Sequence, residues 1–175
     1  MRATPVKFIA GAIMCFCVAV LTSDSTGRQV SSGRDYPVHH DLNVTLNPEG
    51  HRLNAADRVT LPEDSLSTVR FDLHSGLQPE IVTSGVTLVK ESEGKADVPV
   101  ASYRVTLPRG TRTFTVKFQG EIYHPLTPHG AESGRGFRHT PGMIAPEGVY
   151  LTGESYWYPR FGHGLITFDV ELQLP

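Results

Sequence analysis

Apolar and polar residues alternate with a period of two along most of this chain, and no other feature restricts its fold as much. In "VHHDLNVTL", Val38, His40, Leu42, Val44 and Leu46 fall on one side and His39, Asp41, Asn43 and Thr45 on the other. Phe114, Val116 and Phe118 alternate in the same way with Thr115, Lys117 and Gln119. Successive side chains of a strand point to opposite faces, so each run predicts a strand with one dry and one wet side. "LSTVRFDLHS" offers Leu66, Val69, Phe71 and Leu73 as a further apolar side. "IVTSGVTLV", "PVASYRVTLP", "GVYL" and "LITFDVELQL" extend the series, and outside the N-terminus no window repeats at a helical period. Short strands separated by turn residues predict an all-β fold, an antiparallel β-sandwich or saddle-shaped sheet.

The turns are legible as well. "NPEG" at 47–50 joins two alternating runs into a predicted hairpin, and "RG" at 109–110 suggests a second pair, 99–108 with 111–123. "KESEGKAD" reads as a charged loop, and Pro125–Pro146, "PLTPHGAESGRGFRHTPGMIAP", as one long structureless loop. Seventeen glycines and 13 prolines without a repeating period suit a turn-rich β-protein.

The first residues are of another kind. Arg2 and Lys7 precede an apolar run from Phe8 to Leu21, and small polar residues follow. This order is that of a signal peptide or a short membrane anchor, assigned to residues 1–25, and the run is short for a span of about 20 residues. The expected location is therefore exported: periplasmic, membrane-anchored through residues 8–21, or secreted. Residues 26–35 are expected to form a flexible linker and 36–175 the β-domain. Both cysteines, Cys15 and Cys17, lie in the apolar run, so removing it leaves no disulfide framework. A formal charge of -2 with 19% charged residues argues against a nucleic-acid partner.

Few chemical constellations stand out. Eight histidines invite a metal site, but His39 and His40 are adjacent and face opposite sides of a strand. His124, His129 and His139 lie in or beside the long loop without ligand spacing, and the chain has no His-Glu-x-x-His. Ser133 has no sequence-level catalytic partner and no Gly-x-Ser-x-Gly occurs. Asn43-Val44-Thr45 matches a glycosylation acceptor inside a predicted strand. Glu63/Asp64 and Glu91/Glu93 read as solvated turn charges. Tyr150, Tyr156, Trp157 and Tyr158 form an aromatic set with two readings, core packing or the wall of a binding or substrate pocket.

Three stretches together resemble the N-terminal β-domain of the aminopeptidase N family of zinc metallopeptidases. They are "HHDLNVTLNPEGHRLNAADRVTL", "ASYRVTLPRGTRTFTVKFQGEIY" and "GVYLTGESYWYPRFGHGLITFDVELQLP", and they cover most of 36–175. The resemblance implies a saddle-shaped domain packed on a thermolysin-like catalytic domain, its main partner, with peptides as substrates met indirectly. It implies that zinc belongs to that catalytic domain, and that the 175 residues, which lack the zinc motif, are inactive alone as a fragment or truncated product. It also implies a residue lent to the pocket for the substrate's amino end, with Glu154 as candidate beside Tyr156 and Trp157. The rival expectation is a stand-alone secreted β-sandwich that binds a partner through the 125–146 loop.

Overall fold

The computed structural model describes residues 37–94, 98–128 and 138–174. The expected signal or anchor, the linker, both cysteines, His129 and Ser133 lie outside the described residues. The strands, in order, are β1 (Val38–Asn47), β2 (Arg52–Thr60), β3 (Thr68–His74), β4 (Leu77–Ile81), β5 (Thr87–Glu93) and β6 (Val100–Thr106). After them come β7 (Thr113–Glu121), β8 (Thr127–Pro128), β9 (Arg138–His139), β10 (Met143–Ala145), β11 (Gly148–Tyr150) and β12 (Ile166–Gln173). A five-stranded sheet runs in the order β12-β1-β2-β7-β4 and a three-stranded sheet in the order β3-β6-β5. Two small ribbons, β8-β9 and β10-β11, complete the described strands.

The alternation seen in the sequence is the burial pattern of the strands. Leu42, Val44 and Leu46 of β1 are buried while Asp41, Asn43 and Thr45 are exposed, and Phe114, Val116 and Phe118 of β7 are buried. These side chains join Phe71 and Leu73 of β3 and Ala101, Tyr103 and Val105 of β6 in one hydrophobic core fed by both sheets. Burying one such side chain contributes roughly 1.5–3 kcal/mol. Leu66 departs from the expected row. It precedes β3 and is 77% exposed, because the pleat that orients Val69, Phe71 and Leu73 begins only at Thr68.

The β1-β2 hairpin forms as its turn residues suggest. Gly50 N–H donates to Asn47 Oδ1 at 3.1 Å, and His51 N–H to the Pro48 carbonyl at 3.2 Å. The second expected pair does not form, since β6 and β7 belong to different sheets. Backbone groups in their connection bond elsewhere: Leu107 N–H donates to the Ser67 carbonyl at 2.7 Å, and the Arg112 carbonyl accepts from Leu61 N–H at 2.9 Å. Those bonds carry the chain across the core instead of folding it back.

Two further expectations are corrected. Pro125–Pro146 is not structureless throughout: it contains β8, β9 and β10, and Met143, Ile144 and Ala145 are buried. Strands of two or three residues are too short to display a period. Glu91 and Glu93 belong to β5 and not to a turn; Glu91 is gripped by Arg70 Nε at 2.6 Å and Arg104 Nε at 3.2 Å. These cations hold its carboxyl below the usual carboxylate range, with the Arg70 hydrogen bond the main cause. The main sheet is otherwise antiparallel, and β12 runs parallel to β1 at its edge.

Gly120 of β7 lies opposite Leu77 of β4, where the two backbones approach closely. A Cβ at Gly120 would collide with the Gly76 carbonyl. Gly120→Ala is expected to lose about 1–3 kcal/mol of stability through this forced backbone shift. Leu66→Ser, at an exposed position, is expected to stay within about 0.5 kcal/mol of the parent. Urea denaturation midpoints measure both.

Candidate functional site

Between β11 and β12 the chain packs its aromatic segment against the end of the core. A 3-10 turn, Gly153–Ser155, follows Thr152, whose N–H donates to Ser155 Oγ at 3.0 Å. Tyr156 then adopts a left-handed conformation (φ 51), which turns the chain toward β3. There the Tyr156 carbonyl accepts from His74 N–H at 2.7 Å, and Asp72 and Arg160 exchange two backbone hydrogen bonds of 2.9 Å.

The three sequence-derived pocket candidates occupy different surroundings. Glu154 is exposed and lines a cavity of about 250 Å³ with Tyr158, Arg160, Phe161 and His163. Trp157 is half-buried, packs edge-on to Tyr158 at 5.1 Å, and lines a separate slot. Tyr156, also half-buried, lies under the Arg160 guanidinium at 4.8 Å, a cation–π contact. Of the aromatic set, Tyr158 is buried in the core, as the packing reading expects, and Tyr150 is exposed.

Two polar pairs escaped the sequence reading. His40 and Asp57 are both fully buried, and His40 Nδ1 lies 2.7 Å from Asp57 Oδ2. His40 Nε2 and Asp57 Oδ1 have no hydrogen-bond partner in the structure. Phe168 stacks on the His40 ring at 5.3 Å and Tyr158 meets it edge-on at 5.5 Å. Burial pushes Asp57 above the usual carboxylate range, with the bond to His40 acting against it. The signal for this pair was an "Asp" at an inward position of β2, between Ala55 and Val59, facing an inward histidine of β1.

The second pair is His74 and His124, whose Nε2 atoms are 2.9 Å apart. Gly76 N–H donates to His74 Nδ1 at 3.1 Å, so His74 carries its proton on Nε2 and donates it to His124. His124 Nε2 is then an acceptor, and both rings are neutral. Burial, reinforced by the neighbouring His124, lowers His74 to about 4; burial also lowers His124. Fifty residues separate these histidines, a distance no local motif spans.

Of metal chemistry the described residues offer little: no group of three His, Cys, Asp or Glu side chains converges on a point. A two-histidine pair does not fit a zinc centre, which takes three or four protein ligands.

The polar pairs lead to two stability predictions. Asp57→Ala strands His40 in the core and is expected to cost about 3–5 kcal/mol, whereas His40→Leu combined with Asp57→Val is expected to cost less. Urea denaturation of the single and double variants tests this. His74 must gain a proton to unfold in acid, so its contribution is intact above pH 6.5 and is lost as pH falls through about 4. Asp57, raised by burial, acts in the opposite sense, stabilising at low pH and less so as pH rises through its shifted value. Melting temperatures measured from pH 7 to pH 4 should fall more steeply in the parent than in His74→Gln.

No protein-family model matches the chain, and no curated protein does. Among solved structures, the chain is similar to an M1 zinc metallopeptidase from Deinococcus radiodurans, with a TM-score of 0.39 and 20% identity. It is also similar to a mutant of the M1 zinc metallopeptidase from Deinococcus radiodurans bound to a Tyr-Ser-Ala substrate, with a TM-score of 0.39 and 19% identity. Each alignment covers 79% of this chain and 32% of the other, so the chain spans about a third of those proteins.

Proposed function

We propose that this β-domain is the non-catalytic N-terminal part of an exported zinc metallo-aminopeptidase, where it packs on the catalytic body and shapes the mouth of the active site. The observation that carries the reading is an uncovered apolar surface on the inner side of β12. Phe168, Val170 and Leu172 lie opposite His40, Leu42 and Val44 of β1 and share their core-facing side. Yet Val170 is 53%, Leu172 54% and Leu174 63% exposed. Together with Val44, Leu46, Val149, Leu151 and Trp157, Val170 and Leu172 line an apolar slot of about 300 Å³. A contiguous apolar surface of this kind marks an interaction site, because leaving it in water is unfavourable.

The residue patterns in "HHDLNVTL", "ASYRVTLPRG" and "GVYLTGESYWYP" support the choice of family. In this reading the zinc and its water belong to the catalytic body. Glu154, on the exposed 3-10 turn, is the group available to meet a substrate's amino terminus, with Tyr156 and Trp157 next to it.

An antibody against residues 34–175 tests the proposal in the cells that make the protein. The expected result is a band several times heavier than the chain's own 19.2 kDa, whose immunocaptured material cleaves alanine p-nitroanilide and stops when a chelator is added. A band at or below 19.2 kDa without such activity overturns it.

A further inference from the structure

The edges of the two large sheets are not treated alike. A free edge exposes unpaired backbone groups, and proteins blunt edges with proline, charge, bulges, shortness or a covering segment. β4 is five residues long and contains Pro79. β5 carries Lys90, Glu91 and Glu93 and has an irregular register between Lys90 and Ser92. β3 is covered, since Asp72 and His74 hydrogen-bond to the backbone of Arg160 and Tyr156. Of these devices β12 has only charge, in Asp169 and Glu171, and among the described residues no segment covers its outer edge. It is eight residues long, contains no proline, lysine or arginine, and pairs with β1 in unbroken register from Ile166 to Gln173.

We infer that β12 is a docking edge, completed by an extended segment of the catalytic body that adds to it as a sixth strand and alternates apolar with basic residues. The inference rests on the proposed packing of this domain against such a body. A strand satisfies the backbone groups on the side of β12 that no described strand pairs with, which a helix does not. Its apolar side chains continue the row of Val170, Leu172 and Leu174 and enter the slot beside Trp157.

The other side chains of the added strand meet the outer face of β12, where Asp169 and Glu171 are exposed. On β1, Asp41 stands opposite Asp169 in the register, and His39, 3.4 Å from Asp169, also bonds Thr167. Glu171 stands opposite Asn43 in the register, which leaves this stretch acidic. Opposite charges on facing cross-strand positions are favourable and like charges unfavourable. A second copy of the chain is the poorer occupant for that reason. Antiparallel pairing of two β12 strands about Val170 sets Asp169 against Glu171 twice.

Trp157, the single tryptophan of the chain, lines the slot and reports its occupancy by fluorescence. The probes are two ten-residue peptides, one alternating valine with lysine and the other valine with glutamate, added to the 175-residue chain. The expected result is a blue shift with the lysine peptide, which binds roughly tenfold tighter than the glutamate peptide. Asp169→Lys with Glu171→Lys, both at exposed positions, should invert that preference without changing the melting temperature. Val170→Asp should abolish the shift, and backbone amides of β12 should gain hydrogen-exchange protection when the lysine peptide binds. Equal binding of both peptides, a preference that survives the charge swap, or a shift without added protection in β12 overturns the inference. A blue shift that grows with protein concentration without peptide also overturns it, assigning the edge to a second copy. Its failure is separable from that of the proposed function. Immunocaptured peptidase activity with no peptide binding means that the body packs elsewhere. Peptide binding without peptidase activity means that the edge is real and the body is of another kind.

Discussion

The structure depends on the pairing of β1 with strands on both of its sides, and on the division of β1 into an inner and an outer face. β2 lies antiparallel on one side and β12 parallel on the other. The inner residues Leu42, Val44 and Leu46 begin the core that the second sheet closes. A slip of one residue in either pairing would send these side chains to water and bring Asp41, Asn43 and Thr45 inward, so the register is strongly specified. His40 belongs to the same inner row, and its burial is the condition under which β1 can place its other residues correctly.

That condition explains why a polar pair sits in the core. Removing His40 and Asp57 from water carries a desolvation cost, which their mutual 2.7 Å bond offsets only in part, because one polar atom of each is left without a partner. The rings of Phe168 and Tyr158 close around the imidazole, tying β12 and the aromatic segment to β1 at one point. The His74–His124 pair does comparable work at the far end of β3. Its neutral rings link β3 to the segment after β7, and close backbone packing at Gly76 and Gly120 holds them there. Both pairs are polar contacts that only particular strand placements satisfy.

From Phe168 onward along β12 the packing thins. Phe168 still rests on His40, whereas Val170, Leu172 and Leu174 are more than half exposed, and Val170 and Leu172 face a slot whose opposite wall is Val149, Leu151 and Trp157. One strand thus packs on the core at its start and is exposed beside the slot at its end. The proposed role follows from this asymmetry: a domain whose core is open at one edge is suited to join a larger body, and its apolar side and acidic face specify what can complete it.

The sequence by itself determined the strands, because side-chain alternation is a local property with a period of two. The inner rows of β1, β3 and β7, the β1-β2 turn at Asn47–Gly50, and the opposite orientations of His39 and His40 were all legible there. Tertiary structure alone decided which strands became neighbours. A turn at Arg109–Gly110 predicts a reversal, but hydrogen bonds to Ser67 and Leu61 decide that β6 and β7 enter different sheets. The buried pairs His40–Asp57 and His74–His124 were invisible for the same reason, since their partners lie 17 and 50 residues apart. Glu154 and Trp157 are three residues apart in the chain, yet the turn between them sends one to a solvent-facing cavity and the other to the apolar slot. Periodicity tells each side chain which face it takes; only the packing of distant strands tells it what it meets there.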